Sequence, residues 1–331
     1  ITNNSYTQLG SEGNAAGLMV ERFAFASILN SIISSEQSPA VTVGNHNTDG
    51  SAELTIGYSL ISDGQDSIDV YEDGTLIWGD GNIDLDPVFV DTANGNYHLL
   101  ASSMLINAGD PATFDSDGSR ADIGAYPYLN SYSGPTWYVE TEGNDTTGTG
   151  ATDNPFRSIQ AGINFSSDAD SVTVAAGTYV ENINFRGRNI KVVGADRETT
   201  TIDGDSSGSV VTFKNGETSS ALLSGFTIQN GSAVYGGGIY ANGASSMISD
   251  ITLTGNDAQE RGGGIFVDGH HQSLVLNNVH LWNNSADYGG GGVAYEATFT
   301  DSFPQWSNLT IENNTAGYGG GIRLGDGGLV I

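Results

Sequence analysis

Over the last hundred residues, short runs of alternating apolar and polar positions recur with the same punctuation. FTIQNGSAVYGGGIY (226–240), ITLTGNDAQERGGGIF (251–266), VHLWNNSADYGGGGVA (279–294) and LTIENNTAGYGGGIRL (309–324) share one plan. Each holds an alternating strand, an asparagine (Asn230, Asn256, Asn284, Asn314), a glycine run and a second apolar strand. The asparagines are 26, 28 and 30 residues apart. A period of this length, made of strands and turns without a helical stretch, predicts a solenoid in which each repeat is one coil.

The period extends upstream. Val174, Ile202, Ile228, Leu253, Leu281 and Ile311 occupy comparable strand positions at steps of 28, 26, 25, 28 and 30. Near the start, SILNSIIS (27–34) and TIGYSLIS (55–62) repeat, with Ile32 and Leu60 28 residues apart. Three short strands and three turns fit such a coil, so the predicted fold is all-β, a right-handed parallel β-helix. Its apolar side chains stack coil on coil at the ~4.8 Å strand spacing. An inward asparagine at a corner can bond the asparagines above and below through its amide. Glycine allows positive φ and close backbone approach where the coil turns. Asn230, Asn256, Asn284 and Asn314 are therefore expected to form a structural ladder.

Gly 47 in 331 residues is about twice the usual share, in keeping with many tight turns. Lys+Arg 10 against Asp+Glu 39 leaves a net charge of -29, which argues against nucleic acid as a partner. Cys 0 rules out disulfides and thiol chemistry. No apolar run approaches the ~20 residues that span a bilayer as a helix, so no membrane-spanning helix is expected.

Residues 82–128 break the pattern. They run through Asp86, Pro87 and Phe89, then Tyr97 to Leu100, then Asn107 to Gly109, and close on DSDGSRADIGAY (115–126). This order resembles the ending of secreted bacterial β-helix proteins of the choice-of-anchor type, with Pro127 where that pattern has an acidic residue. The resemblance implies a terminal cap. LNSYSGPT (129–136) has linker chemistry. From Trp137 the chain resembles the opening of pectate-lyase-like β-helices, with GTYVENI (177–183) and a capping helix near 155–166. There Asn154 suits the cap, Pro155 the first position, and Phe156, Ile159 and Ile163 one face. The predicted organisation is the coils and cap of one β-helix over 1–128, a linker over 129–136, and the start of a second β-helix over 137–331.

Candidate chemistry is sparse. Asp115, Asp117 and Asp122 around Gly118 have a calcium-loop-like spacing of oxygen ligands, and aspartate turn-capping is the competing reading. Tyr235, Tyr288 and Tyr318, with Arg261 in the equivalent place, form a candidate glycan-contacting stack; stacked aromatics that only stabilise a ladder are the alternative. Arg186, Arg188 and Lys191 lie together, and five histidines include the His270–His271 pair, but no catalytic constellation emerges and no catalytic residue is assigned. No organic cofactor is expected.

The two ends match. GLVI (328–331) corresponds to SLVL (273–276), and ITNN (1–4) to the LWNN that follows that segment. Residues 1–20 and 319–331 would then continue one coil, within a tandem array or between subunits stacked head to tail, unless both ends are simply trimmed. The glycine and asparagine copies also resemble polymorphic outer-membrane-protein-like repeats of bacterial surface β-helices. That resemblance implies an exported extracellular or cell-surface protein. The expected function is a non-enzymatic structural or adhesin-like β-solenoid in a fibre or appendage. A carbohydrate-active module, as polysaccharide lyase, glycoside hydrolase or glycan binder, is the alternative.

Overall fold

A computed structural model describes residues 17–34, 39–45, 50–269, 274–296 and 305–325. The chain divides into two compact units, Ile1–Ser131 and Tyr132–Ile331. Both are built from parallel strands stacked coil on coil, and the fold is an all-β parallel β-solenoid with one short α-helix among the described residues.

In the second unit the longest ladder begins at Thr136–Val139, Ser171–Val174 and Lys191–Gly194. It continues through the long strands Leu222–Gln229, Met247–Thr254, Val275–Trp282 and Trp306–Glu312. Its inward columns are continuous: Val172, Val192, Leu223, Ile248, Leu276 and Trp306 stand in one register, and Ile202, Ile228, Leu253 and Leu281 in another. All of these are buried. Each fully buried side chain of this size contributes roughly 1.5–3 kcal/mol, so successive coils stabilise one another without a globular centre. Val211, Ile239, Ile265, Val293 and Ile322 continue the interior on a second ladder.

The long strands are two shorter ones fused. In earlier coils Ser171–Val174 and Gly177–Val180 are separate, as are Lys191–Gly194 and Thr200–Asp203. From Leu222 onward a single strand carries a bend at Gly225, Asp250, Asn278 and Asn308, all with positive φ. The left-handed region is open to glycine and tolerated by asparagine and aspartate, which is the set found there. This fusion corrects one expected alignment: Val174 faces Gly194, and Tyr179 is the residue opposite Ile202.

The capping helix forms, but it spans Ile159–Phe165 rather than starting at 155. Ser158, not Asn154, is the N-cap, its hydroxyl accepting from the Ala161 amide. Phe156 instead donates its amide to Tyr138 and bridges Val139, so Pro155 and Phe156 stay extended beside the first strand. Phe156, Ile159 and Ile163 are fully buried all the same. Glu181 reaches the helix start, one carboxylate oxygen accepting from Ile159 N at 2.8 Å and the other from Gln160 N at 3.0 Å. That pair satisfies two of the amides every helix leaves free at its N-terminus.

In the first unit three coils stack Leu18–Val20, Val41–Val43 and Ile68–Val70 on one ladder and Phe25–Leu29, Ala52–Gly57 and Gly74–Trp78 on another. Ile32 faces Leu60, as the 28-residue repeat predicts. The 82–128 segment packs on the coils of its own unit. It runs back along the corner of the coils: Gly124 donates to Asn30 O, Asp110 N to Asn30 Oδ1, and Asn30 Nδ2 to Thr113, while Arg120 lies over Tyr58. Leu105, Ile106 and Ile123 make its own buried centre.

Candidate functional site

Three places gather the candidate side chains. The first is the corner after each long strand. Asn256 N donates to Asn284 Oδ1 at 3.1 Å, and Asn256 Nδ2 donates to the same oxygen at 2.9 Å. Asn284 repeats both bonds to Asn314 Oδ1, at 3.0 and 2.9 Å. Asn256 and Asn284 are buried at 0% and 1% exposure, so this amide chain replaces water for backbone and side chain alike. Asn230 does not belong to it. Gly231 holds the ladder position and donates to Asn256 Oδ1, whereas Asn230 has left-handed backbone, is exposed, and bonds Asp203. Its equivalents are Gly255, Asn283 and Asn313, all with positive φ. The first unit uses the same corner: Ser31 N donates to Ser59 Oγ, and Ser59 N to Asn82 Oδ1, behind left-handed Asn30, Tyr58 and Gly81.

The second place is the short ladder Ser232–Tyr235, Asp257–Arg261, Ser285–Gly289 and Thr315–Tyr318. Tyr235, Arg261 and Tyr318 share one register, but Gly289 stands there in the third coil and Tyr288 is one residue earlier. The four side chains therefore do not form a single column. They still meet. Tyr288 and Tyr318 rings lie 5.3 Å apart, Arg261 sits 4.8 Å over Tyr288, and Arg323 approaches the same ring at 5.6 Å. Glu296 pairs with Arg323 and, at 3.4 Å, with Arg261. Tyr235 packs on Phe266 at 4.9 Å. Phe266 and Glu296 carry no signal in the sequence. Only Arg323 carries a signal, as the one cation inside the fourth glycine copy.

The third is the aspartate turn of the first unit. Asp122 is buried and accepts from Asn107 N and Tyr128 N, both at 2.7 Å. Asp115 accepts from Asp122 N, and Asp117 from Ser119 and Asn130. The carboxylates point at backbone amides, and among the described residues no three His, Asp or Glu groups converge as a metal cage. Burial, with the charges of Asp115 and Asp117 adding and the two amides opposing, pushes Asp122 up to about 7. Burial also raises Asp115. For Asp117 burial is outweighed by its bonds from Ser119 and Asn130, which hold it below the usual carboxylate value.

Arg186 and Arg188 bond Asn164 and Ile163 O of the capping helix, so they tie helix to coil, while Lys191 is exposed. His280 pairs with Glu312 at 3.1 Å. His270 and His271 lie outside the described residues, as do 1–16 and 326–331 of the two matching ends. Among the described residues no helix is long and apolar enough to cross a membrane. These features define a parallel β-solenoid whose corners are stacked amides. No family profile matches the chain, and no curated protein matches it.

Proposed function

We propose that the chain is a non-enzymatic structural β-solenoid of the cell surface or extracellular space, one unit of a tandem-repeat or head-to-tail fibre. The observation that carries this reading is the repetition of one corner device from coil to coil in both units. Leu309, Ile311 and Ile322 continue the inward columns of Val279, Leu281 and Val293. In the first unit Leu18, Ala26 and Ile28 likewise share the columns of Val41, Leu54 and Ile56. A solenoid edge offers both unburied columns and unpaired backbone groups, the template on which another coil adds. The corner device runs in the same direction in both units, each amide donating to a side chain of the following coil, so a coil of either could extend the other. Electron microscopy and light scattering of the protein over a range of concentrations test this. Filaments or concentration-dependent mass are expected, and Ile311→Lys should abolish them while leaving the far-ultraviolet circular dichroism intact. A protein that remains monomeric at high concentration would remove the head-to-tail arrangement.

Calcium at Asp115, Asp117 and Asp122 belongs to the same proposal. What supports it is the mutual repulsion of three carboxylates in one turn, which a hard cation relieves. Melting against pH, with calcium or with chelator, separates metal from burial. Without calcium, Asp122 and Glu181, each raised to about 7 mainly by burial, hold protons in the folded state that the unfolded chain has already lost. Their contribution is present in acid, below the ordinary carboxylate range, and is lost as pH rises toward 7, so stability increases from neutral pH down to about pH 4–5. Calcium requires ionised ligands, so it should raise Tm at neutral pH by several degrees and lose that effect on acidification. Equal Tm with calcium and with chelator at neutral pH would exclude the metal. A chelated protein that melts lower at pH 5 than at pH 7 would overturn the burial argument.

A further inference from the structure

We infer that the outward face of the short corner ladder is a binding platform for uncharged glycan chains, through Tyr318 and Tyr235 with Tyr288 between them. The face is lateral to the coil edge that the fibre proposal uses, with Tyr318 on the outermost described coil itself, and its test reads binding rather than assembly. Tyr318, Tyr288 and Tyr235 are 65%, 42% and 38% exposed, and they stand on the fourth, third and first coils of one ladder, with Arg261 on the second. At ~4.8 Å per coil the platform is roughly 14 Å long, the scale of a short oligosaccharide rather than of a single sugar.

Tyr288 and Tyr235 are held before any ligand arrives, and Tyr318 leans on Tyr288 with the two ring planes 58° apart. Tyr288 lies against Arg261 at 4.8 Å and Arg323 at 5.6 Å, and Glu296 holds both guanidinium groups. Tyr235 rests on Phe266, which is 4% exposed and itself packs on Tyr240 at 5.9 Å. Rigid tyrosines supply flat contact area at low entropic cost, each with a hydroxyl that can bond outward. Flat apolar rings bordered by fixed guanidinium and carboxylate groups suit a ligand with apolar faces and hydroxyl edges, which is the character of a pyranose.

Charge selects among glycans. Glu296 offsets one of the two guanidinium charges, and the exposed Glu260 and Asp287 on the same strands outweigh the other. The face therefore presents a negative rim, within a chain of net charge -29. That rim disfavours uronates and sulfated sugars, and the screening length of about 8 Å in physiological salt confines the effect to the face itself. Neutral chains are unaffected.

Titration calorimetry with neutral cello-, xylo-, manno- and galacto-oligosaccharides, and with oligogalacturonate as the charged counter-probe, tests the inference. Binding of at least one neutral series is expected, with affinity rising with chain length up to the platform's span. Tyr318→Ala should weaken it by about tenfold or more, and Tm should stay unchanged because that side chain is largely exposed. Asp287→Asn should leave neutral binding intact and admit oligogalacturonate more readily. The inference is overturned if no neutral series binds, if Tyr318→Ala binds like the parent, or if oligogalacturonate binds the parent as tightly as the neutral chains.

Discussion

Gly263→Ala is expected to cost about 3 kcal/mol or more and to separate two coils. A Cβ at this position would stand 2.1 Å from Ser285 O, 2.6 Å from Ser285 C and 2.7 Å from Gly291 O. All three are backbone atoms of the next coil, which cannot rotate aside as a side chain would. Relief requires the coils to part, and the bonds that hold them there are Gly263 N to Gly290 O, Gly264 N to Gly291 O and Ile265 N to Gly292 O. Overpacking alone costs about 1–3 kcal/mol, and buried amides left without acceptors add to it. Gly243→Ala is the matched control. That glycine has φ +69 with nothing within 4 Å of an added methyl, so only the left-handed backbone is penalised, by about 1–2 kcal/mol. Urea denaturation of the two variants beside the parent reads the difference. A Gly263→Ala protein as stable as Gly243→Ala would mean that the glycine columns are not packed backbone to backbone.

The glycine runs show why so much of this architecture is legible in the sequence. A solenoid repeats its steric demands at every coil, so a position that excludes a side chain does so again about 26 to 30 residues later. The period, the strands and the corner asparagines all follow from that repetition. What the sequence leaves ambiguous is register. The left-handed residue and the inward residue that follows it both favour asparagine, one for its backbone tolerance and the other for its amide. Asn283 and Asn284 fill both places, while the second coil reads Gly255–Asn256 and the first Asn230–Gly231. Alignment on the nearest asparagine therefore shifts Asn230 by one. Tyr288 is displaced in the same way because the ladder is irregular between Ala286 and Gly289. Asn154 and Pro155 carry the local signals of a helix start, but the edge of Thr136–Val139 draws Phe156 into a bridge first. The convergence of Arg261 and Arg323 on Glu296 joins residues more than 25 positions apart with no shared motif, and only folding brings them together.

Asn284→Ala should be as damaging as the glycine substitution, by a different route. Asn284 Oδ1 accepts two bonds from Asn256, and its Nδ2 donates to Leu253 O at 3.0 Å, Trp282 O at 3.2 Å and Asn314 Oδ1 at 2.9 Å. Removing the amide leaves the Asn256 backbone N–H with no acceptor and its side chain with Ile228 O alone, at a site of 0% exposure, and takes the donor from Leu253 O. Each buried group left unsatisfied costs about 1–3 kcal/mol, so a total near 3–5 kcal/mol is expected. Asn230→Gly provides the contrast. It keeps the left-handed backbone, removes only an exposed bond to Asp203, and should change stability by less than about 0.5 kcal/mol. Thermal and urea unfolding of both variants decide the matter. If Asn230→Gly destabilised as much as Asn284→Ala, the amide chain would have to extend one coil further than Gly231 allows. If neither did, stacked apolar columns alone would hold the coils in register, and the corner amides would be replaceable by water.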